Sequence, residues 1–302
     1  MSKSFVAVAG ATGQLGRLIA TNLRARNVLV KALVRPGTAP SRTEGLRDAG
    51  VILTEADLSD VPSLTKELQG ASCVVSALNG LADTVLGTQK ALLDAAVAAK
   101  VPRFIPSDFS LDFTKTAPGS NRNLDLRREF HQRLDESGIQ WTSVLNGAFM
   151  ELLDGQAPLI NHSLGRVLYL NSDEQKLDFT TIADTAAYTA AVVADANPTP
   201  RYLRIAGDVV SAKDLAAIVN RVRGTPYSTL WVGSAGFLEG TSKFMKRFSI
   251  GGSEQDVFPA WQGMQYMANM FSGAGKLEQL DNERYPDLKW TGVEEFLTQH
   301  AS

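Results

Sequence analysis

The sequence predicts an α/β fold, a doubly wound parallel sheet followed by a smaller α+β lobe. Three observations carry that reading. Short apolar runs alternate with amphipathic stretches through the first 150 residues. A glycine-spaced turn joins the first run to the first helical stretch. Beyond Phe149 the alternation loosens into shorter strands and helices without a repeat or a flexible linker. A division into residues 1–150 and 151–302 follows, with the chain of the two lobes expected to interleave.

Each element has a local cause. The strands are read at residues 5–9, 28–34, 51–54, 73–78, 103–105 and 141–145, where β-branched and aliphatic residues run together as they do in a strand buried on both faces. Helices are read from Gly13, near Ser41, near Asp60 with Pro62 in the first turn, near Asp83 and around Asn123. Right-handed crossovers between such strands give a parallel sheet. In the second part, strands are read at 167–170, 177–180 and 202–205, with helices near Asp184, Ser211 and the C-terminus. Asp184 is expected to cap the helix it opens. Met264, Met267 and Met270 fall three apart among Trp261, Tyr266 and Phe271, an apolar helix face suited to core packing or a subunit contact. A pliable wall for a flat substrate is the other reading of that face, to which Trp231, Phe237, Phe244 and Phe248 would add.

Composition excludes several classes. Hydrophobic residues make up 44% of 302, enough for a substantial core, and the net charge of −2 is spread without a basic face. No nucleic-acid patch is expected. The N-terminal Met1-Ser2-Lys3-Ser4 carries no apolar signal region, and no run of about 18 apolar residues suggests a membrane span. The single cysteine, Cys73, cannot form an intrachain disulfide, which fits a reducing compartment. A cytoplasmic protein is expected.

In a doubly wound sheet, ligands bind beyond the carboxyl ends of the strands. The first of these ends carries Gly10-Ala11-Thr12-Gly13-Gln14-Leu15-Gly16. Glycines there allow a tight turn, close approach of backbone N–H groups to a pyrophosphate and close helix packing, while the helix start supplies positive potential. This is a Rossmann-type dinucleotide site. Where an NAD binder places an acid for the ribose hydroxyl, this chain has Arg35, whose guanidinium suits a 2′-phosphate. NADP(H) is the expected cofactor. Ala77, Leu78 and Asn79, Ser107, Asp108 and Phe109, and Asn146 and Phe149 occupy the later strand ends and complete the candidate cofactor set.

Taken together, these stretches resemble the NmrA-like branch of the atypical short-chain dehydrogenases, which includes isoflavone, pinoresinol-lariciresinol and phenylcoumaran benzylic ether reductases. The likeness covers roughly residues 4 to 300 and rests on the glycine turn, Leu33-Val34-Arg35-Pro36, Ala56-Asp57-Leu58, the run from Val101 to Phe109, and Asn146 to Phe149. It implies NADP(H) binding, with Arg35 at the 2′-phosphate and Asp57 and Leu58 near the adenine. Reductases of this branch use a helix lysine for proton transfer; counting back from Gly138-Ile139, that position is Arg127. Arginine keeps its proton, so it can orient a ligand or stabilise an oxyanion but is a poor acid or base. The spacing Tyr285-Pro286-Asp287-Leu288-Lys289 carries a proline and lies far past the sheet, so it is not a short-chain dehydrogenase pair.

The remaining acid–base candidates are Asp108 and His131. His131 has a suitable intrinsic pKa, although a surface helix histidine paired with Asp135 or Arg127 is the favoured reading of the sequence. Asp108 could serve as an acid–base group or cap the next turn. His162, in a loop, reads as polar surface. No metal cluster is apparent. Two functions follow: an NADPH-dependent oxidoreductase passing hydride to a small aromatic or conjugated substrate held between the lobes, or a non-enzymatic NADP(H) sensor of the NmrA type. The partners expected are a small-molecule substrate, a second copy in a homodimer, or a regulatory protein.

Overall fold

The computed structural model describes residues 4–155 and 157–300. In chain order the elements begin with β1 (Phe5–Ala9), α1 (Gln14–Ala25), β2 (Val30–Val34), α2 (Glu44–Asp48), β3 (Ile52–Glu55), α3 (Val61–Leu68), β4 (Ala71–Ser76), α4 (Gln89–Ala98), β5 (Arg103–Ile105), α5 (Arg122–Ser137), β6 (Gln140–Trp141) and β7 (Ser143–Leu145). They continue with β8 (Ala148–Phe149), β9 (Ile160–Asn161), β10 (Arg166–Tyr169), β11 (Leu177–Thr180), α6 (Ile182–Ala194), β12 (Tyr202–Arg204), β13 (Asp208–Val210), α7 (Ala212–Arg223), β14 (Ser228–Trp231), α8 (Ala235–Arg247), α9 (Ala260–Phe271) and α10 (Val293–Gln299).

Two compact units share this chain. Unit 1 holds residues up to Phe109 together with 126–144 and 185–203, and unit 2 holds 110–125, 145–184 and 204 onward. Unit 1 contains a six-stranded sheet in the order β3-β2-β1-β4-β5-β6, every pairing parallel. Every residue of β1 is buried. Alternation then sends Phe5, Ala7 and Ala9 to one face, where they join a core with Leu64 and Leu68 of α3, Leu92 and Leu93 of α4, and Phe130 and Leu134 of α5. Helix α3 starts as its sequence dictates, with the Asp60 carboxylate accepting from Ser63 N–H and Pro62 in the first turn. Arg103, at the start of β5, donates to the carbonyls of Val192, Val193 and Asp195 and so satisfies the end of α6, which lacks a glycine cap.

The stretch read as one strand over 141–145 is two. Its first half pairs with β5, whereas Ser143 N–H turns to Arg201 O and β7 pairs with β12. The helix read near Asp83 begins as a π-helical turn, Asp83–Thr88, before α4.

Unit 2 contains two three-stranded sheets, β14-β10-β9 and β13-β11-β8. Asp184 does not cap α6. Thr181 Oγ1 accepts from Asp184 N–H at 2.9 Å, while an Asp184 oxygen accepts from Thr291 N–H at 2.9 Å. The shorter side chain one residue before the helix is placed to reach back, and Asp184 ties the helix start to the C-terminal segment. In α9 the buried face is not the methionine stripe: Trp261, Gln262, Gln265, Ala268, Asn269, Met270 and Phe271 are buried, whereas Met264 and Met267 are half-buried. Helix α7 opens with a capping box in which Ser211 and Asp214 bond reciprocally. Among the described residues no helix is long and apolar enough to cross a membrane.

Two measurements check this account. Gly16→Ala would set a Cβ 2.3 Å from the Gly10 carbonyl oxygen, and the backbone shift needed is expected to cost about 1–3 kcal/mol in urea unfolding. The Lys176 ammonium, followed by the Ser211 groups, lowers the Asp214 pKa from 3.8 to about 2. The stabilisation is therefore complete above pH 3.8 and lost as pH falls towards 2. Asp214→Asn is expected to flatten the melting temperature against pH across that interval, and an unchanged slope would refute the assignment.

Candidate active site

The carboxyl ends of β1 to β5 bring most of the sequence candidates to one edge of unit 1. The strand order reverses beside β1, so β2 lies on one side and β4 on the other. Gly10 leaves β1 with φ +80°, and a Cβ there would lie 2.4 Å from Ala77 O. Ala77 N–H donates back to Ala9 O at 2.9 Å, which closes the junction with β4. Helix α1 then begins with no side-chain cap and no acid in its first turn. The amides of Gln14, Leu15 and Gly16 are thus left for a ligand at a positive helix end. Gly13 and Gln14 are exposed, with Thr12 and Leu15 half-buried and Arg17 beside them on the first turn.

Arg35 stands exposed one residue past β2. Past β3, the Asp57 carboxylate accepts from Ser59 Oγ at 2.6 Å and Ser59 N–H at 2.9 Å, bonds that hold its pKa below the usual carboxylate value. Asp57 is exposed and Leu58 belongs to the core. Leu78 O accepts from Ser107 Oγ at 2.6 Å, while Ser107 N–H donates to Oε1 of buried Gln89 at 2.9 Å. The loops after β4 and β5 are therefore latched, and Asn79 is exposed at their rim. Phe109 is buried.

Asp108 and His131 are neither a turn cap nor a surface pair. Asp108 is 1% exposed and His131 6%. His131 Nε2 lies 2.7 Å from Asp108 Oδ2, and its Nδ1 lies 3.0 Å from the hydroxyl of Tyr202. The imidazole lies nearly parallel to the Tyr202 ring, at 18°, and edge-on to Trp141 at 4.6 Å between centroids. The Asp108 carbonyl also accepts from Arg127 Nε at 2.7 Å. One loop residue thus holds the histidine through its side chain and the arginine through its main chain. The second carboxylate oxygen, Oδ1, is buried without a hydrogen-bond partner, a costly state that a folded chain seldom keeps without use. Sequence reasoning missed Tyr202, Trp141 and Gln89; no local signal marks residues whose role comes from contacts 71, 10 and 18 positions away along the chain.

Asn146 and Phe149 lie in unit 2. The Asn146 side chain is fully buried with neither amide atom bonded, while its backbone is fixed by Ser110 O and Thr180 Oγ1. His162 accepts or donates at Tyr227 OH, 2.9 Å away in the same unit, and burial lowers its pKa. A separate cavity of about 320 Å³, lined by Arg103, Gln140, Trp141, Thr142, Thr199 and Arg201, opens where β5 and β6 begin, at the opposite strand ends from the glycine turn. Among the described residues no His, Cys, Asp and Glu cluster could hold a metal ion.

The NmrA-like family profile matches residues 2–297. The chain belongs to the NmrA-like family. Within it, the chain is 26% identical to the isoflavone reductase homolog IRL of Zea mays, over 98% of each chain. It is also 26% identical to quinone oxidoreductase 2 of Escherichia coli strain K12, covering 84% of this chain and 90% of that one. Among solved structures, the AtPrR2 complex with NADP+ and (+)-pinoresinol superposes with a TM-score of 0.83 at 21% identity, over 99% of each chain. The last likeness is one of fold.

Substitution of the buried cluster tests its weight. His131→Leu leaves the Asp108 carboxylate without its ring partner and is expected to cost about 2–3 kcal/mol, against about 1 kcal/mol for Tyr202→Phe. Urea unfolding of both variants measures the difference, and equal, negligible losses would show that the cluster bears no load.

Proposed function

We propose that this chain is an NADPH-dependent oxidoreductase acting on a small aromatic or conjugated substrate. The observation that carries the reading is the uncapped start of α1 set against a glycine junction with no room for a Cβ. That arrangement fits a dinucleotide pyrophosphate, and Arg35 at the next strand end fits a 2′-phosphate. Asp57, kept ionised by Ser59, supplies an acceptor towards the adenosine end. The reductase relatives matched across nearly the whole chain favour this function over a sensor.

When bound, the reduced nicotinamide supplies a hydride. The residues of the chain have the complementary work. Arg127 stands where the related reductases carry lysine, and its guanidinium keeps its protons, so we assign it to holding negative charge that develops on the substrate. Asp108 fixes Arg127 Nε through its carbonyl, and His131 fixes Asp108. Substrate recognition is assigned to the part of the chain beyond residue 150, and Asn146 offers an unspent amide. The only thiol, Cys73, is buried with its pKa pushed up to about 12, which suits a cytosolic protein without disulfide chemistry.

Arg35→Asp is expected to weaken NADPH binding at least about tenfold while sparing NADH, since a pair of charge-assisted bonds is exchanged for repulsion; calorimetry with both nucleotides measures it. NADPH consumption across quinones, enones, imines and aldehydes tests the reaction, and a protein inert to all of them would leave only a sensor. With an accepted substrate, Arg127→Ala is expected to lower kcat at least about tenfold while leaving the NADPH Kd within about twofold.

A further inference from the structure

We infer that unit 2 pairs with unit 2 of a second copy of the chain through the open edge of β14 and the aromatic face of α8. In the sheet β14-β10-β9, strand β14 pairs in parallel with β10 on one side and, among the described residues, with no strand on the other. A row of backbone N–H and C=O groups is thereby offered outward. Soluble proteins protect such edges with lysine, proline or a bulge. Ser228-Thr229-Leu230-Trp231 has none of these, and its register with β10 is unbroken.

The side chains point the same way. Leu230 and Trp231 alternate to opposite faces and are 37% and 58% exposed, so both faces of the strand keep apolar surface in solvent although α7 packs beside it. After Gly233, α8 presents Phe237, 67% exposed, and Phe244, 58% exposed, with Phe248, 59% exposed, one residue past its end. These positions are seven and four residues apart and fall on one stripe. The Phe244 and Phe248 rings lie 4.8 Å apart, and the other side of the helix is packed, with Ser242 Oγ donating to Trp261 O. Four rings exposed to this degree offer roughly 500 Å², to which Leu230, Val232 and Ile250 add; a standard interface takes about 800 Å² per partner.

A second copy fits this surface better than a small ligand or a charged partner. From Thr225 to Leu238 no residue carries a charge, so the two β14 strands meet without like charges of their own; the cations of α8 begin at Lys243, and Lys246 is paired with Glu254. A small aromatic molecule could cover rings but cannot satisfy a row of backbone groups. A two-fold axis normal to the sheet can, because it pairs residues of like parity in antiparallel register. Centred on Leu230, it sets Leu230 against its own copy and Thr229 against Trp231, and joins two three-stranded sheets into one. The interface is isologous and closes at two subunits.

Sedimentation and light scattering of the purified full chain at micromolar concentration are expected to give a dimer. Ser228 and Val232 N–H donate inward to Gly165 O and Tyr169 O, so the outward groups are those of Thr229 and Trp231. Thr229→Pro, which removes an outward N–H, and Phe244→Glu, which places a charge on the stripe, are each expected to give a folded monomer with unchanged circular dichroism. Leu230→Cys tests the register without disrupting it. Under mild oxidation a covalent dimer should form at this position and not in the parent chain, because Cys73 is buried. A monomeric parent chain would overturn the inference. So would a dimer that survives both disrupting substitutions, or a monomer whose Trp231 fluorescence is protected only when an aromatic substrate binds.

Discussion

The close approach of two strand ends is the constraint on which unit 1 depends. Gly10 leaves β1 with its Cα against Ala77 O, and Gly16 packs α1 against Gly10 itself, each at a separation no side chain allows. Because β1 and β4 are neighbours while the chain between them runs through β2 and β3, that contact sits where the winding reverses. The helix start is brought to the sheet edge with its amides unspent. The positions of Arg35, Asp57, Leu78 and Ser107 follow from it, since each is the next residue or two past a strand held in register by the same sheet.

A second layer of order lies behind the loop after β5. An arginine on α5 brings fixed charge to this loop rather than a group that exchanges protons. Fixed charge is useful only where it is pointed, and the Asp108 carbonyl does the pointing. Asp108 is in turn held by an imidazole set between a phenol and an indole, so the orientation of the half-buried Arg127 is inherited from three rings, two of them buried. The arrangement separates the group whose direction is set from the groups that set it.

Legibility from sequence followed the range of the cause. Strands β5 and β11 were readable to the residue, because apolar runs bounded by turn residues define them locally. The glycine turn was readable for the same reason. The break at Thr142 was not, because it arises from a change of partner between β5 and β12. Nor was the capping of α6, where Thr181 and Asp184 both carry suitable oxygens and only the geometry selects Thr181. The helix histidine gave two readings at i±4, and both failed, since its partners come from a loop 23 residues earlier and a strand 71 residues later. The methionine spacing named a helix correctly but only part of its buried face, because Trp261, Met270 and Phe271 share that side with three amides, Gln262, Gln265 and Asn269, bonded to residues 120–122.

The interleaving of the chain has a consequence for its birth. Unit 1 is completed by residues 185–203, which supply the α6 carbonyls that Arg103 gathers and the phenol that His131 meets. A ribosome working from the N-terminus therefore exposes a sheet whose outer layer is still unsynthesised until about two-thirds of the chain has emerged. Meanwhile 110–125 and 145–184 of unit 2 wait for their own C-terminal partners, Asp178 for Lys276 and Asp184 for Thr291. Neither unit can mature ahead of the other, and a nascent chain stalled near its middle has no finished half to protect it from proteolysis.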